Sequence, residues 1–177
     1  ADPRDQCRGD DHVGVEVQKP ADEADELDHD GRPSSRERSV ARSTALAQLL
    51  FVAASFAALV TLYIVSDFSV VNVFENSHSM KPLLYKITGV WGNHEGSMLL
   101  WVTILGGWTV AVAMAGGGLP LDMRARVLSI MGMVSVGFYL FVLFTSNPFA
   151  RTFPDVPEQG RDLNPLLQDP GLIFHPP

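Results

Sequence analysis

The 177-residue chain has a single cysteine, Cys7. It can form no intrachain disulfide, and no cysteine-based metal cluster can be built from it. Its first residues, ADPRDQCRGDD, contain no basic stretch leading directly into an apolar core. They do not read as a secretory signal peptide, so the first apolar run is expected to act as its own insertion signal. The glycines of GGGLP at 116–120 are not followed by Lys and Ser or Thr, so no phosphate-cradling loop is present. Cations are scarce as well, 13 Lys and Arg against 20 Asp and Glu for a net charge of −7, which argues against nucleic-acid binding. No repeat of fixed period occurs.

Charge is also missing locally, and that absence organises the chain. Residues 1–42 carry 12 of the 20 acidic and 7 of the 13 basic residues and hold no run able to bury a face. This composition predicts a disordered acidic tail. Beyond it lie three nearly or wholly uncharged runs, TALAQLLFVAASFAALVTLYI, SMLLWVTILGGWTVAVAMAGGG and VLSIMGMVSVGFYLFVLFTS. About 20 helical residues span a ~30 Å hydrocarbon core, so each run predicts a transmembrane helix, over 43–66, 97–118 and 127–146. The fold class is therefore all-α, a polytopic integral membrane protein with about three transmembrane helices. The Gly106–Gly107 pair is expected to admit a close helix neighbour, and GGGLP to stop the second helix.

Orientation follows from the Lys and Arg near the membrane ends. Arg36, Arg38, Arg42, Arg124 and Arg126 crowd one side, while Lys81, Lys86, Arg151 and Arg161 lie on the other, mostly farther from the apolar runs. The first side is read as cytoplasmic, with 119–126 as a cytoplasmic loop. The 67–96 loop and residues 147–177 are then outside, which in a bacterium is the periplasm. Both outer segments mix aromatics, amides, prolines and charges without helical periodicity. Ordered loops of this kind usually line a surface or a site.

Two histidine settings stand out in these segments. In WGNHEGSMLLW, His94 and Glu95 begin like the zinc-protease HExxH, but Met98 occupies the second ligand position and the metal reading fails. What remains is an interfacial helix start flanked by Trp91 and Trp101, or a site where His94 faces another helix or a buried ligand. In GLIFHPP, Pro176 and Pro177 stiffen the backbone around His175. A neutral imidazole so held, next to Phe174, suits axial coordination of a porphyrin iron, although a lone histidine is weak support for that chemistry. Upstream, GRDLNPLLQDPGL is either a pair of locally capped turns or a shaped ledge with Arg161 available for a carboxylate. His78 reads as solvated or locally hydrogen-bonded, and His12 and His29 belong to the acidic tail.

WGNHEGSMLLW, RVLSIMGMVSVGFYLFVLFTSNPF and GRDLNPLLQDPGLIFHPP together closely resemble the cytochrome c maturation protein F family, the membrane heme lyase component of bacterial cytochrome c maturation. DFSVVNVFENSH and KPLLYKITGVWGNHEG resemble the first periplasmic loop of that family. The resemblance runs from about residue 45 to the end. It implies an N-terminal portion of a longer polytopic inner-membrane protein, with residues 1–42 foreign to the family pattern. It also implies that heme is taken from a periplasmic heme chaperone and attached to the two thiols of a CxxCH apocytochrome c, beside other maturation subunits. The histidine of the FHPP motif, a heme-iron ligand in the family, falls on His175. His94 matches a recurring residue of the family's WGxHEG motif, with a structural or substrate-facing role, and Arg161, His94 and Trp91 are taken as further candidate cofactor-binding residues. The tryptophan-rich segment and the remaining histidine ligands of the family have no counterpart in these residues, so this portion alone is not expected to catalyse attachment. The related lyase for nitrite-reductase cytochromes is the alternative within the family. A non-catalytic or transporter-like membrane subunit, binding a partner through its outer loops, is the alternative outside it.

Overall fold

The computed structural model describes residues 35–115, 118–162, 164 and 171, and all its regular elements are helices. These are α1 (Ser35–Val65), α2 (Val71–Asn76), α3 (Leu83–Gly89), α4 (His94–Ala115) and α5 (Leu121–Phe144). Among the described residues three helices are long and apolar enough to cross a membrane: Arg36–Val65, His94–Ala115 and Leu121–Phe144. The expected fold class is borne out. Two local expectations are corrected. Residues 35–42, assigned to the disordered tail, begin α1, and the loop at 67–96 contains the short helices α2 and α3. Neither element shows an apolar stripe in sequence. α1 extends outward because propagation is easy once the membrane-spanning segment has nucleated the helix, and the Arg, Glu and Ala of 35–42 are good helix formers with no Gly or Pro to interrupt them. The rest of the acidic tail, residues 1–34, lies outside the described residues.

The three long helices alternate in direction, and α4 lies between the others, packed on both α1 and α5. Leu59, Val52 and Tyr63 of α1 meet Leu99 and Val102 of α4 in the buried core. Gly106 makes this close: a methyl group there would touch the Val52 and Leu49 side chains at 3.5 and 3.6 Å, whereas Gly107 faces open space. Only one member of the glycine pair therefore serves the helix contact. Large apolar side chains such as Leu50, Phe51, Trp108 and Phe144 are exposed. In a helix that spans lipid this is the expected surface, since hydrocarbon tails solvate it as well as a core would. The hydroxyls within the helices turn inward on the backbone, with Ser55, Thr61, Thr103, Thr109, Ser129 and Ser135 each donating to the carbonyl four residues earlier. Such bonds leave few polar groups to be satisfied by lipid.

At one end of the bundle, the C-terminus of α1, the N-terminus of α4 and the C-terminus of α5 come together with α2, α3 and residues 145–162. α1 ends in a left-handed turn at Ser66, φ 57°. The Asp67 amide returns to the Leu62 carbonyl at 3.0 Å and the Ser66 amide to Tyr63 at 3.3 Å, the two bonds of a Schellman cap. Glycine usually fills this position. Here the serine hydroxyl instead receives the Lys86 ammonium at 2.7 Å, tying α3 to the end of α1.

Candidate functional site

The extramembrane end is built on a buried polar knot. Tyr63, fully buried, donates to the Asn72 side-chain oxygen and lies 3.1 Å from the Asn72 carbonyl. Asn72 donates to the Asn93 side-chain oxygen at 2.9 Å, and the Asn93 amide group donates to the Tyr63 hydroxyl at 2.9 Å. The same Asn93 amide reaches the carbonyls of Gly89 and Val90 at 3.1 Å. Its oxygen also accepts the Gly96 amide at 2.8 Å, so Asn93 is the N-cap of α4. One asparagine thus joins α1, α2, α3 and α4. Gly96 must lack a side chain, because a Cβ there would collide with the Val90 carbonyl. The WGNHEG motif is first of all the hinge of this knot.

A second set of contacts fastens residues 147–162 onto 67–81. Val70 and Arg151 form an isolated antiparallel bridge, with the Val71 amide on Ala150 and the Thr152 amide on Ser69, both at 2.9 Å. The Arg151 guanidinium donates to the Ser69 hydroxyl at 2.7 Å and stands 4.0 Å from Asp67. The Ser69 side chain, then its amide, and the Arg151 charge hold the Asp67 carboxyl below the ordinary carboxylate range, against the opposing effect of partial burial. Farther along, the Arg161 amide reaches Phe74 at 2.7 Å and the Asp162 amide reaches Ser77 at 3.2 Å. The ammonium of Lys81, with its side chain only 3% exposed, meets Asp162 at 2.8 Å. Gly160 passes so close to the Ser77 carbonyl and the Phe68 ring that a Cβ there would overlap both.

The predicted site residues fall unequally on this frame. The backbone of Arg161 is held as above, and its exposed guanidinium lies 5.2 Å from the centroid of the Phe74 ring, a cation–π contact. His94 is exposed in the first turn of α4 and meets Phe141 of α5 edge-on, ring centroids 6.1 Å apart. Trp91 is half-buried and packs against the core. His78 accepts the Met80 amide on Nδ1 at 3.2 Å, a local bond of the expected kind. His175 lies outside the described residues. No group of three or more His, Cys, Asp or Glu side chains suited to a metal ion occurs among the described residues. The structure therefore brings Arg161 to the ledge and packs Trp91 partly against the core. His94 sits at the α4–α5 seam. Sequence reading missed Tyr63, Asn72, Asn93 and the Lys81–Asp162 pair. Only Asn93 had a local signal, an asparagine directly before a helical run.

Residues 91–177 match the family described as cytochrome C assembly protein. The cytochrome c-type biogenesis protein CycK of Bradyrhizobium diazoefficiens is 68% identical over 139 residues, which are 78% of this chain and 21% of that protein. CcmF of Escherichia coli, also a cytochrome c-type biogenesis protein, is 59% identical over 142 residues, 79% of this chain and 22% of that protein. The chain belongs to the CcmF/CycK family. The cytochrome c-type biogenesis protein NrfE of Haemophilus influenzae is more distant, 47% identical over 115 residues, 65% of this chain and 18% of that protein. This CcmF/CycK family chain spans about a fifth of the length of the curated relatives it matches. No solved structure matches it.

Whether the extramembrane end suits a heme can be judged from its side chains. Heme is commonly held by hydrogen-bond donors or cations at its propionates, apolar surface against the ring and side-chain donors to the iron. The ledge offers the Arg161 guanidinium and the Phe74 ring beneath it. A guanidinium over an aromatic ring is suited in kind to a propionate beside a porphyrin face.

Proposed function

We propose that the chain forms part of the heme lyase that joins heme covalently to CxxCH apocytochromes c, with the α1–α4–α5 end of the bundle in the periplasm of a bacterial inner-membrane protein. The observation that carries this reading is the family match over residues 91–177, which takes in WGNHEG, the ledge and the FHPP stretch. The name that CcmF and CycK share, cytochrome c-type biogenesis protein, supports it at identities of 59% and 68%. The NrfE identity of 47% keeps the nitrite-reductase lyase as the second reading.

The work of these residues is positioning. Heme supplies vinyl groups for thioether formation and an iron whose potential its ligands tune. The Tyr63–Asn72–Asn93 knot and the 69–71/150–152 pairing set a rigid floor at the membrane surface. Arg161 would hold a propionate from that floor, and His175 would ligate the iron. Fixing the porphyrin and the incoming thiols in one geometry turns a bimolecular encounter into an effectively unimolecular one. A heme chaperone, apocytochrome c and further maturation subunits are the partners this role requires. The test replaces His175 by Ala in the full-length protein and scores c-type cytochromes by heme staining in cells. A yield lowered at least tenfold, with the membrane protein present at its normal level, is the expected result. Unchanged yield removes His175 from the site.

A further inference from the structure

The opposite end of the bundle carries a second feature that the maturation role does not use. A cavity of about 470 Å³ opens between α1, α4 and α5, lined by Arg38, Arg42 and Arg124 together with Gln48, Thr109 and Ser129. Arg124 is only 8% exposed. Among the described residues its guanidinium makes no hydrogen bond or ion pair, although its amide is bonded within the helix. Arg42 donates from Nε to the Ala113 carbonyl at 3.3 Å, capping α4, which leaves its other nitrogens for a ligand. Glu37 lines the same cavity and has its own interaction, so one carboxylate stands against three guanidinium groups. An unpaired charge is costly to bury, and Arg124 sits in the first turns of α5, where the helix dipole adds further positive potential. The site is organised for an anion.

The anion's chemical class is indicated by what adjoins the cavity. A second cavity of about 610 Å³ shares Thr44 and Gln48 with the first and runs along α1 and α5 past Phe51, Val52, Tyr139 and Leu143. Its walls are almost wholly apolar. At the junction the Gln48 side chain stands by the Tyr139 hydroxyl, and neither Gln48 Nε2 nor that hydroxyl completes a hydrogen bond of ordinary geometry. The groove is therefore cationic at the membrane edge, polar at Gln48 and Tyr139 less than about two helical turns deeper, and hydrocarbon-like beyond. That sequence is complementary to a phosphate, a glycerol ester and an acyl chain. We propose that this groove holds an anionic phospholipid, its phosphate against Arg38, Arg42 and Arg124 and one acyl chain laid between α1 and α5. Basic pockets between transmembrane helices recognise anionic headgroups in this way, each arginine near the surface contributing a few-fold in affinity.

The test uses the full-length protein carrying this region, purified in a non-ionic detergent. Phosphatidylglycerol, phosphatidylcholine with the same acyl chains, and inorganic phosphate are each added while lipid retention is followed by native mass spectrometry and stability by thermal unfolding. Phosphatidylglycerol is expected to stay bound and to raise the unfolding temperature, and phosphatidylcholine and phosphate to do neither. R124Q should weaken phosphatidylglycerol retention at least fivefold. R38Q, at a half-buried position that leaves the fold intact, should weaken it by roughly fivefold. R126Q, exposed and outside the groove, should leave it unchanged. Equal retention of phosphatidylcholine, a full effect from phosphate alone, no retained lipid, or an effect of R126Q as large as that of R38Q would each overturn the proposal.

Discussion

Asn93 concentrates the energetics of the extramembrane end, because one side chain both caps α4 and completes the buried knot with Tyr63 and Asn72. Asn93→Ala removes the cap, worth about 0.5–2 kcal/mol, and leaves buried donors and acceptors unmatched at about 1–3 kcal/mol more. Tyr63→Phe strips only the hydroxyl and should cost roughly 1–3 kcal/mol. Thermal unfolding in detergent should rank the two variants in that order. The Lys81–Asp162 pair is asymmetric, with side chains 3% and 44% exposed. Asp162→Asn leaves a buried ammonium without its anion and should destabilise more than Lys81→Met, which leaves a carboxylate that water can reach. Equal losses in the two variants would contradict the asymmetry. Asp67 gives a pH signature. Its folded pKa is lowered, so its stabilising contribution is present above the unfolded value of about 3.9 and is lost as pH falls through the folded value. An acid titration of unfolding should show this loss below about pH 4, and Asp67→Asn should abolish that part of the profile. Little of this knot was legible in sequence. Tyr63 reads as one more residue of an apolar span, and Asn72 gives no sign of its distant partners until the chain has folded.

The long helices were the most legible elements, because a run of 20 uncharged residues has few other physical solutions. α2 and α3 were not. Each has only 6 or 7 residues, too few to show a period, and each is held by the surrounding knot and by the ends of α1 and α4. Gly96 tests how tightly that junction is fixed. Gly96→Ala drives a methyl group into the Val90 carbonyl and should lower the folded yield by more than 1 kcal/mol in stability, about the smallest usual cost of overpacking. Gly107→Ala, with nothing in reach of its new methyl, should behave as the parent or gain slightly from helix propensity. Fluorescence-detected size exclusion of both variants distinguishes a specific close approach from a general sensitivity of α4.

At the scale of the whole molecule, the alternating helices put the knot and the ledge at one end, and the arginine groove at the other. The proposed orientation, with the first end in the periplasm, rests on the Lys and Arg distribution in the sequence. Replacing Cys7 by Ser and placing one cysteine at Met80 or at Leu119, exposed at opposite ends, makes the assignment measurable in intact cells. A membrane-impermeant maleimide should label Met80→Cys and spare Leu119→Cys. The family was legible because long motifs survive in WGNHEG and GRDLNPLLQDPGLIFHPP. The local contacts within them were less so: the partial packing of Trp91 on the core and the position of Arg161 over Phe74 depend on residues distant in sequence. The central claim, that the end of the bundle carrying the ledge handles heme through His175, is tested most directly by the visible absorption spectrum of the purified full-length protein. The account predicts that His175→Ala shifts or removes the reduced heme bands, while His78→Ala, locally bonded to Met80, leaves them in place. Identical spectra for the parent and His175→Ala would contradict it.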